Sequence, residues 1–177
     1  MTIEQFVARS EGEWRSMRSG HSLAFQQFEQ ILSTITVKIL GGNDPRVIDL
    51  LSSSPENRAK YTTPFLIQWE AESDWSKEIS KENSSGSSIL IPIPKTKSSG
   101  LLIRSIGYTE AIPLISTYCF LSDGTFKLKS KYEKTTTEER IWHLSENVRC
   151  RSSVVYTTKT SGILQTSFAS EIKHLKP

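Results

Sequence analysis

Along most of the chain, apolar and polar residues take turns. Ile35, Val37 and Ile39 are separated by Thr36 and Lys38, and Phe65, Ile67, Trp69 and Ala71 alternate with Leu66, Gln68 and Glu70. A strand with one wet face reads this way, because successive side chains point to opposite sides of the sheet. Similar runs recur at 101–108, 114–121, 126–132, 138–144, 148–156 and 162–172. The stretch 89–93 is apolar throughout and contains Pro92, which cannot donate to a ladder, so it is predicted to be a sheet edge or a bulge. Between two strands lies Ser122-Asp123-Gly124-Thr125. An Asp-Gly pair there predicts a hairpin with a type I′ turn.

Two stretches follow a different period. Thr2 and Gln5 have the spacing of a capping box, and Ile3, Phe6, Val7, Ser10, Trp14 and Met17 then fall at helical spacing. This predicts a front helix on which Trp14, Arg18 and His21 share a face, weakened by about 1 kcal/mol at Gly12. Asp44 followed by Pro45 predicts a second, short helix carrying Val47, Ile48, Leu50 and Leu51 and stopping before Pro55. The polar segment 76–88 reads as a loop inside the domain.

About ten short strands with a helix in front and a second short helix predict a mostly β protein, one antiparallel barrel or sandwich over residues 1–177. A barrel of eight to ten strands has an interior wide enough for side chains or for one small ligand. The front helix is placed to close one mouth.

Composition narrows the function. The 22 basic and 19 acidic residues leave a net charge of +3. That is too little for a nucleic-acid binder, though it suits an anionic ligand or an acidic partner. No apolar run approaches the ~20 residues a membrane helix needs. The opening MTIEQFVARSEGEW carries acids and no apolar core, unlike a signal peptide. Cys119 and Cys150 are therefore expected as thiols in a reducing, cytosolic setting. Their spacing fits no zinc pattern, and His21, His143 and His174 are scattered, so no metal site is expected.

Particular residues carry more than the pattern does. Gly12, Trp14, Ser16, Arg18, His21 and Leu23 spell Gly-x-Trp-x-Ser-x-Arg-x-x-His-x-Leu. Further blocks follow at 69–75 (WEAESDW), 118–126 (YCFLSDGTF), 138–142 (EERIW), 147–153 (NVRCRSS) and 164–171 (LQTSFASE). Taken together and in this order, they resemble the CpcS/CpeS (also CpcU) family of phycobiliprotein lyases over nearly the whole chain. The resemblance implies a lipocalin-like barrel with an N-terminal helix. It implies an enzyme that captures an open-chain tetrapyrrole, phycocyanobilin or a related bilin, and promotes its thioether attachment to a cysteine of an apo-phycobiliprotein subunit. The bilin is then substrate, and no cofactor is expected. A homodimer, or a heterodimer with a paralogue, in a cyanobacterial cytosol or a plastid stroma fits this resemblance. Two other readings stand beside it: a bilin carrier or non-catalytic lyase subunit, and a lipophile carrier of the fatty-acid-binding type. The Trp, Arg and His blocks favour an aromatic, anionic ligand over a fatty acid.

In such a reaction the nucleophile belongs to the acceptor protein, so the lyase has to hold the bilin in one pose and tune its protonation. Arg18, Arg149 and Arg151 are candidates for the two propionates, since a guanidinium matches a carboxylate bidentately and stays charged. Arg149 and Arg151 share a strand face; solvated strand arginines are the plainer alternative, and the family block favours Arg149. Trp69 and Trp75 are candidates for stacking on the conjugated rings. Trp69 is balanced between core and pocket, while Trp14 and Trp142 are expected in the core. Glu138 or Glu139 is a candidate to face the pyrrole N–H groups. Glu138 is preferred, because it would share a face with Arg140 and Trp142. Histidine is the side-chain type that can serve as acid and base in neutral solution, so His21 is a candidate acid, base or propionate partner, against a plain capping role at a helix end. Cys119 and Cys150 read as small hydrophobes.

Overall fold

The structure, a computed structural model, describes residues 1–71, 85–106, 113–158 and 162–174. Its elements run α1 (Ile3–Ser10), β1 (Gly12–Ser22), β2 (Gln27–Ile39), α2 (Pro45–Ser52), β3 (Phe65–Ala71), β4 (Ser85–Pro94), β5 (Ser99–Arg104), β6 (Leu114–Phe120), β7 (Phe126–Lys131), β8 (Thr135–His143), β9 (Val148–Thr157) and β10 (Ile163–Lys173). The ten strands pair antiparallel in sequence order, and β10 returns to β1, closing a barrel. Closure leaves no free sheet edge among the described strands.

The front helix is shorter than its periodicity suggests. The capping box is present, with Gln5 N–H donating to Thr2 and Thr2 N–H donating to the Gln5 side chain. The helix ends at Ser10, where Glu11 N–H reaches Val7 O. Gly12 then adopts φ +124°, a conformation that side-chain-bearing residues rarely take. The chain turns there into β1, and period two takes over: Trp14, Ser16 and Gly20 are buried while Arg15, Met17 and His21 are exposed. Ser16, Arg18 and Gly20 make that inner row too polar to look like a strand face. On a strand, Trp14 and Arg18 do share a side, but His21 takes the other one.

Side chains opposite one another in an antiparallel pair share a face, so the register divides inside from outside. The inner face at one end of the barrel is apolar: Trp14, Ile35, Val37, Phe65, Leu90, Leu102, Tyr118, Phe120, Phe126 and Leu128 form one cluster with Ile3, Phe6 and Val7 of α1. Phe6 stacks on Phe126 with ring centroids 4.4 Å apart, so α1 closes this end. Trp14 is fully buried, and its indole N–H donates to Ser10 O at 2.8 Å.

A second cluster lies outside the wall, where Leu40, Val47 and Leu50 around α2 cover Leu66, Ile91, Ile93 and Ile103. That cover explains why 89–93 does not alternate: β4 is apolar on both faces. Pro92 lies inside a closed barrel, yet β4 pairs with β3 only as far as Leu90, so its missing N–H falls beyond that ladder. Ser85–Ser88 belong to β4, so the polar segment is partly strand. The 122–125 turn differs in type from the expectation. Gly124 N–H donates to Leu121 O, and φ is positive at Gly124 (85°) but not at Asp123, which is a type I turn with a bulge. Trp142 is not in the core; it lies half-buried on the outer wall near Phe168, with centroids 6.1 Å apart.

Candidate functional site

Above the apolar plug the inner wall becomes charged. β9 and β10 place Arg149 opposite Glu171 and Arg151 opposite Ala169, and β1 places Ser16 opposite Glu171. Arg149 Nε donates to Glu171 Oε2, Arg151 Nη2 lies 3.4 Å from Glu171 Oε1, and Ser16 Oγ donates to the same oxygen at 3.4 Å. The Arg149 guanidinium also sits over the Trp14 ring, 4.1 Å from its centroid, where the face of the ring attracts a cation. Burial lowers the Arg149 pKa to about 10, still well above neutrality. Burial pushes the Glu171 carboxyl upward, but the charges of Arg151 and Arg149 and the bonds from Arg149 and Ser16 outweigh it, leaving it below its ordinary value. Both members of the pair are charged at neutral pH.

A second ion pair crosses the lumen. Arg104 on β5 and Glu139 on β8 both face inward, and Nη1 donates to Oε2 at 2.9 Å with side-chain exposures of 12% and 7%. β6 and β7 lie between these strands in the sheet, so the pair runs as a chord across the barrel.

Beyond this charged layer the inner wall is partly accessible to solvent. Arg18, Ile31, Ser33, Arg151, Thr157, Gln165 and Ser167 face inward yet keep partial exposure, and Arg18 bonds Glu29 at 3.1 Å in a pair that solvent reaches. Trp69 faces inward from β3, half-buried against the edge of the apolar cluster. Its indole lies across Gly86 of β4, where a β-carbon would come within 2.3 Å of the ring. A groove of about 500 Å³ along the outside of β2, β3 and β4 reaches the same tryptophan between Thr34, Gln68 and Ser85.

The structure therefore brings Arg18, Trp69, Arg149 and Arg151 to one interior. Glu138 is on the other side of the wall, bonded to Lys127 at 2.9 Å and to Arg140 at 2.8 Å. It shares its face with Arg140 and Trp142 as expected, but that face is the outer one. Burial raises the Glu138 pKa and the bonds to Lys127 and Arg140 lower it further than burial raises it. The inward carboxylate is Glu139. His21 stands on the outer wall near the rim, its ring 4.8 Å from that of Phe28. Trp75 lies outside the described residues. Sequence reasoning missed Glu171 and Arg104. The alternation Arg149, Arg151 is visible in the sequence, but their carboxylate partner becomes visible only with the β9–β10 register. Cys119 and Cys150 are free thiols, the first half-buried and the second buried. No cluster of His, Cys, Asp and Glu among the described residues is arranged to hold a metal ion. No helix among them is long and apolar enough to cross a membrane.

Comparison with known proteins gives a consistent picture. A family model described as "CpeS-like protein" matches residues 2–174. A protein of Trichodesmium erythraeum named "Chromophore lyase CpcS/CpeS 3" is 43% identical over 98% of this chain and 99% of its own length. One of Microchaete diplosiphon, named "Putative phycoerythrobilin lyase CpeS", is 41% identical over 85% of this chain and 66% of its own. Among solved structures, the S-type phycobiliprotein lyase CPES from Guillardia theta superposes with a TM-score of 0.82 at 30% identity, covering 100% of this chain and 95% of that one.

Proposed function

The chain belongs to the CpeS-like family, and from that premise we propose that it is a phycobiliprotein lyase that holds phycocyanobilin or a related bilin non-covalently and promotes its thioether attachment to an apo-phycobiliprotein. The reading is supported by the lining of the wet half of the barrel, where Arg18, Arg151, Trp69 and Glu139 face one lumen above a closed apolar floor. A linear tetrapyrrole needs such a lining: cations for two propionates, an aromatic face for the conjugated rings, and a carboxylate for the pyrrole N–H groups.

The protein supplies pose and electrostatics. In this reading Arg18 and Arg151, paired with Glu29 and Glu171 in the free protein, turn to the propionates. Arg149 is committed to Glu171, so its part is to hold that carboxylate and Arg151 in register. Glu139, and not Glu138, is the carboxylate that stabilises a cationic bilin. His21, on the outer wall, does not touch a chromophore held inside. The acceptor thiol gives up its proton and adds to the bilin ethylidene; the exocyclic C=C π bond breaks, a C–S bond forms, and the proton goes to the tetrapyrrole. The reaction is a cytoplasmic one in this reading, and pairing with a second copy or a paralogue is part of it.

The test mixes the purified protein with phycocyanobilin and apo-phycobiliprotein subunits, alone and with a paralogous lyase. The expected result is a zinc-fluorescent adduct that survives denaturing electrophoresis. A coloured complex that never yields a correct adduct leaves the carrier reading. Displacement of bilin by a fatty acid at similar affinity leaves the lipophile reading.

A further inference from the structure

We propose that Arg104 is a further chromophore-binding residue, taking a propionate carboxylate through its Nε edge while Nη1 keeps its bond to Glu139. The proposal rests on the lyase reading above.

Arg104 is the last residue of β5, with its side chain directed into the barrel. Its partners across the two neighbouring strands are Leu90 and Leu114, neither of which has a side-chain acceptor to offer. Nη1 is used by Glu139, but Nε is buried and has no hydrogen-bond partner. A pair of nearly buried charges loses hydration on both sides, and it repays that loss only when the remaining donors are satisfied as well. Here the Nε donor, on the inward-facing side chain, is left without a partner. As a purely structural bridge the pair is poorly built; as a half-filled site it is coherent.

The geometry of the guanidinium supports this. Arginine offers five donors in a rigid fork, and its Nε edge matches a carboxylate in the side-on mode. A guanidinium between two carboxylates, Glu139 on one edge and a propionate on another, also removes a conflict. Glu139 beside a bare propionate would repel it, while a shared cation lets both anions occupy the same lumen. Arg104 would thus place the propionate relative to Glu139, and with it the pyrrole N–H groups that Glu139 faces.

The test compares phycocyanobilin with its dimethyl ester, in which both propionates are masked, by spectral titration of the full-length protein. The unaltered protein is expected to bind the free acid more tightly than the ester. Arg104→Lys keeps a charge for Glu139 but loses the planar fork. The acid-over-ester ratio is expected to fall roughly tenfold in this variant, with ester affinity nearly unchanged. Arg104→Met/Glu139→Met removes both charges and is expected to fold, because an apolar pair of similar volume replaces a buried ion pair. If Arg104 only neutralises Glu139, this double variant keeps the acid preference or increases it. If Arg104 holds a propionate, the preference drops. A full acid-over-ester ratio in either folded variant overturns the proposal and leaves the lyase reading standing. Failure of the unaltered protein to bind either compound overturns both.

Discussion

Arg149 on β9 and Glu171 on β10 are register partners whose side chains form an ion pair inside the barrel, with the guanidinium resting on the face of Trp14. The pair sits where the apolar plug meets the wet lumen, and the nearby Arg151 shares the same carboxylate. Arg149→Ala therefore removes a buried charge partner: it leaves Glu171 with Arg151 alone, at 3.4 Å. The expected loss is at the low end of about 3–5 kcal/mol, because Arg151 remains. Urea unfolding measures it. Arg149→Leu/Glu171→Leu is expected to regain most of that loss, and a double variant no more stable than the single one contradicts this account of the pair.

Arg18 offers the opposite balance. Its pair with Glu29 has side-chain exposures of 31% and 49%, so solvent screens it. Arg18→Ala should cost less than about 1 kcal/mol of stability. If it meets a propionate, it should weaken bilin binding by about 1–3 kcal/mol. Titration and thermal melts on the same preparation separate the two effects. Equal bilin affinity in the variant removes Arg18 from the site.

Most of the strands were legible from the sequence, because their apolar faces are buried on one side only. Phe126 and Leu128 of β7 alternate with Lys127 and Lys129, and the capping box and Asp44-Pro45 mark their helices. β1 was hidden for a physical reason. Its inner row passes from Trp14 to Ser16, Arg18 and Gly20, polar because it lines the wet lumen, and the apolar positions that remain mimic a helix. The polar residues that face this interior thus obscure the strand that carries them.

The polar and aromatic residues of the candidate site were legible by type but not by direction. Arg18, Arg149, Arg151 and Trp69 do face one interior. The choice between Glu138 and Glu139 depended on a register shift of one residue, which no local pattern resolves. Carboxylate partners on distant strands, Glu171 for Arg149 and Glu139 for Arg104, depend on closure of the barrel and carry no local signal.

The two neighbouring glutamates make a paired prediction. Glu138→Gln loosens an outer-wall cluster with Lys127 and Arg140 and should leave the spectrum of the bilin complex and the transfer rate unchanged. Glu139→Gln removes the inward-facing carboxylate of the two. It should reduce the protonated, red-shifted fraction of bound bilin and slow transfer by about a hundredfold. Absorption spectra and single-turnover transfer assays measure both. Damage from Glu138→Gln with Glu139→Gln unaffected would reverse the assignment of the inner and outer faces.

His143 makes the stability of the barrel depend on pH. Its ring lies at the plugged end, edge-on to Phe6 and Trp14, with centroids 5.9 and 6.0 Å away. Burial above all, together with the charges of Arg9, Arg149 and Lys173 and against a smaller opposing pull from Glu171, lowers its pKa from 6.5 to about 4. The unfolded chain therefore binds this proton more tightly than the folded one. The stabilising contribution is complete above pH 6.5 and declines as the pH falls toward 4. Allowing for solvent screening of a half-buried ring, it amounts to about 1–2 kcal/mol. His143→Phe keeps an aromatic ring against Phe6 and Trp14 and cannot take the proton. Urea unfolding at pH 7 and pH 4.5 should show that the wild type loses about 1–2 kcal/mol more than the variant over that interval. Carboxylate titration is common to both proteins and cancels in the comparison, so equal losses would mean that His143 does not couple folding to protonation.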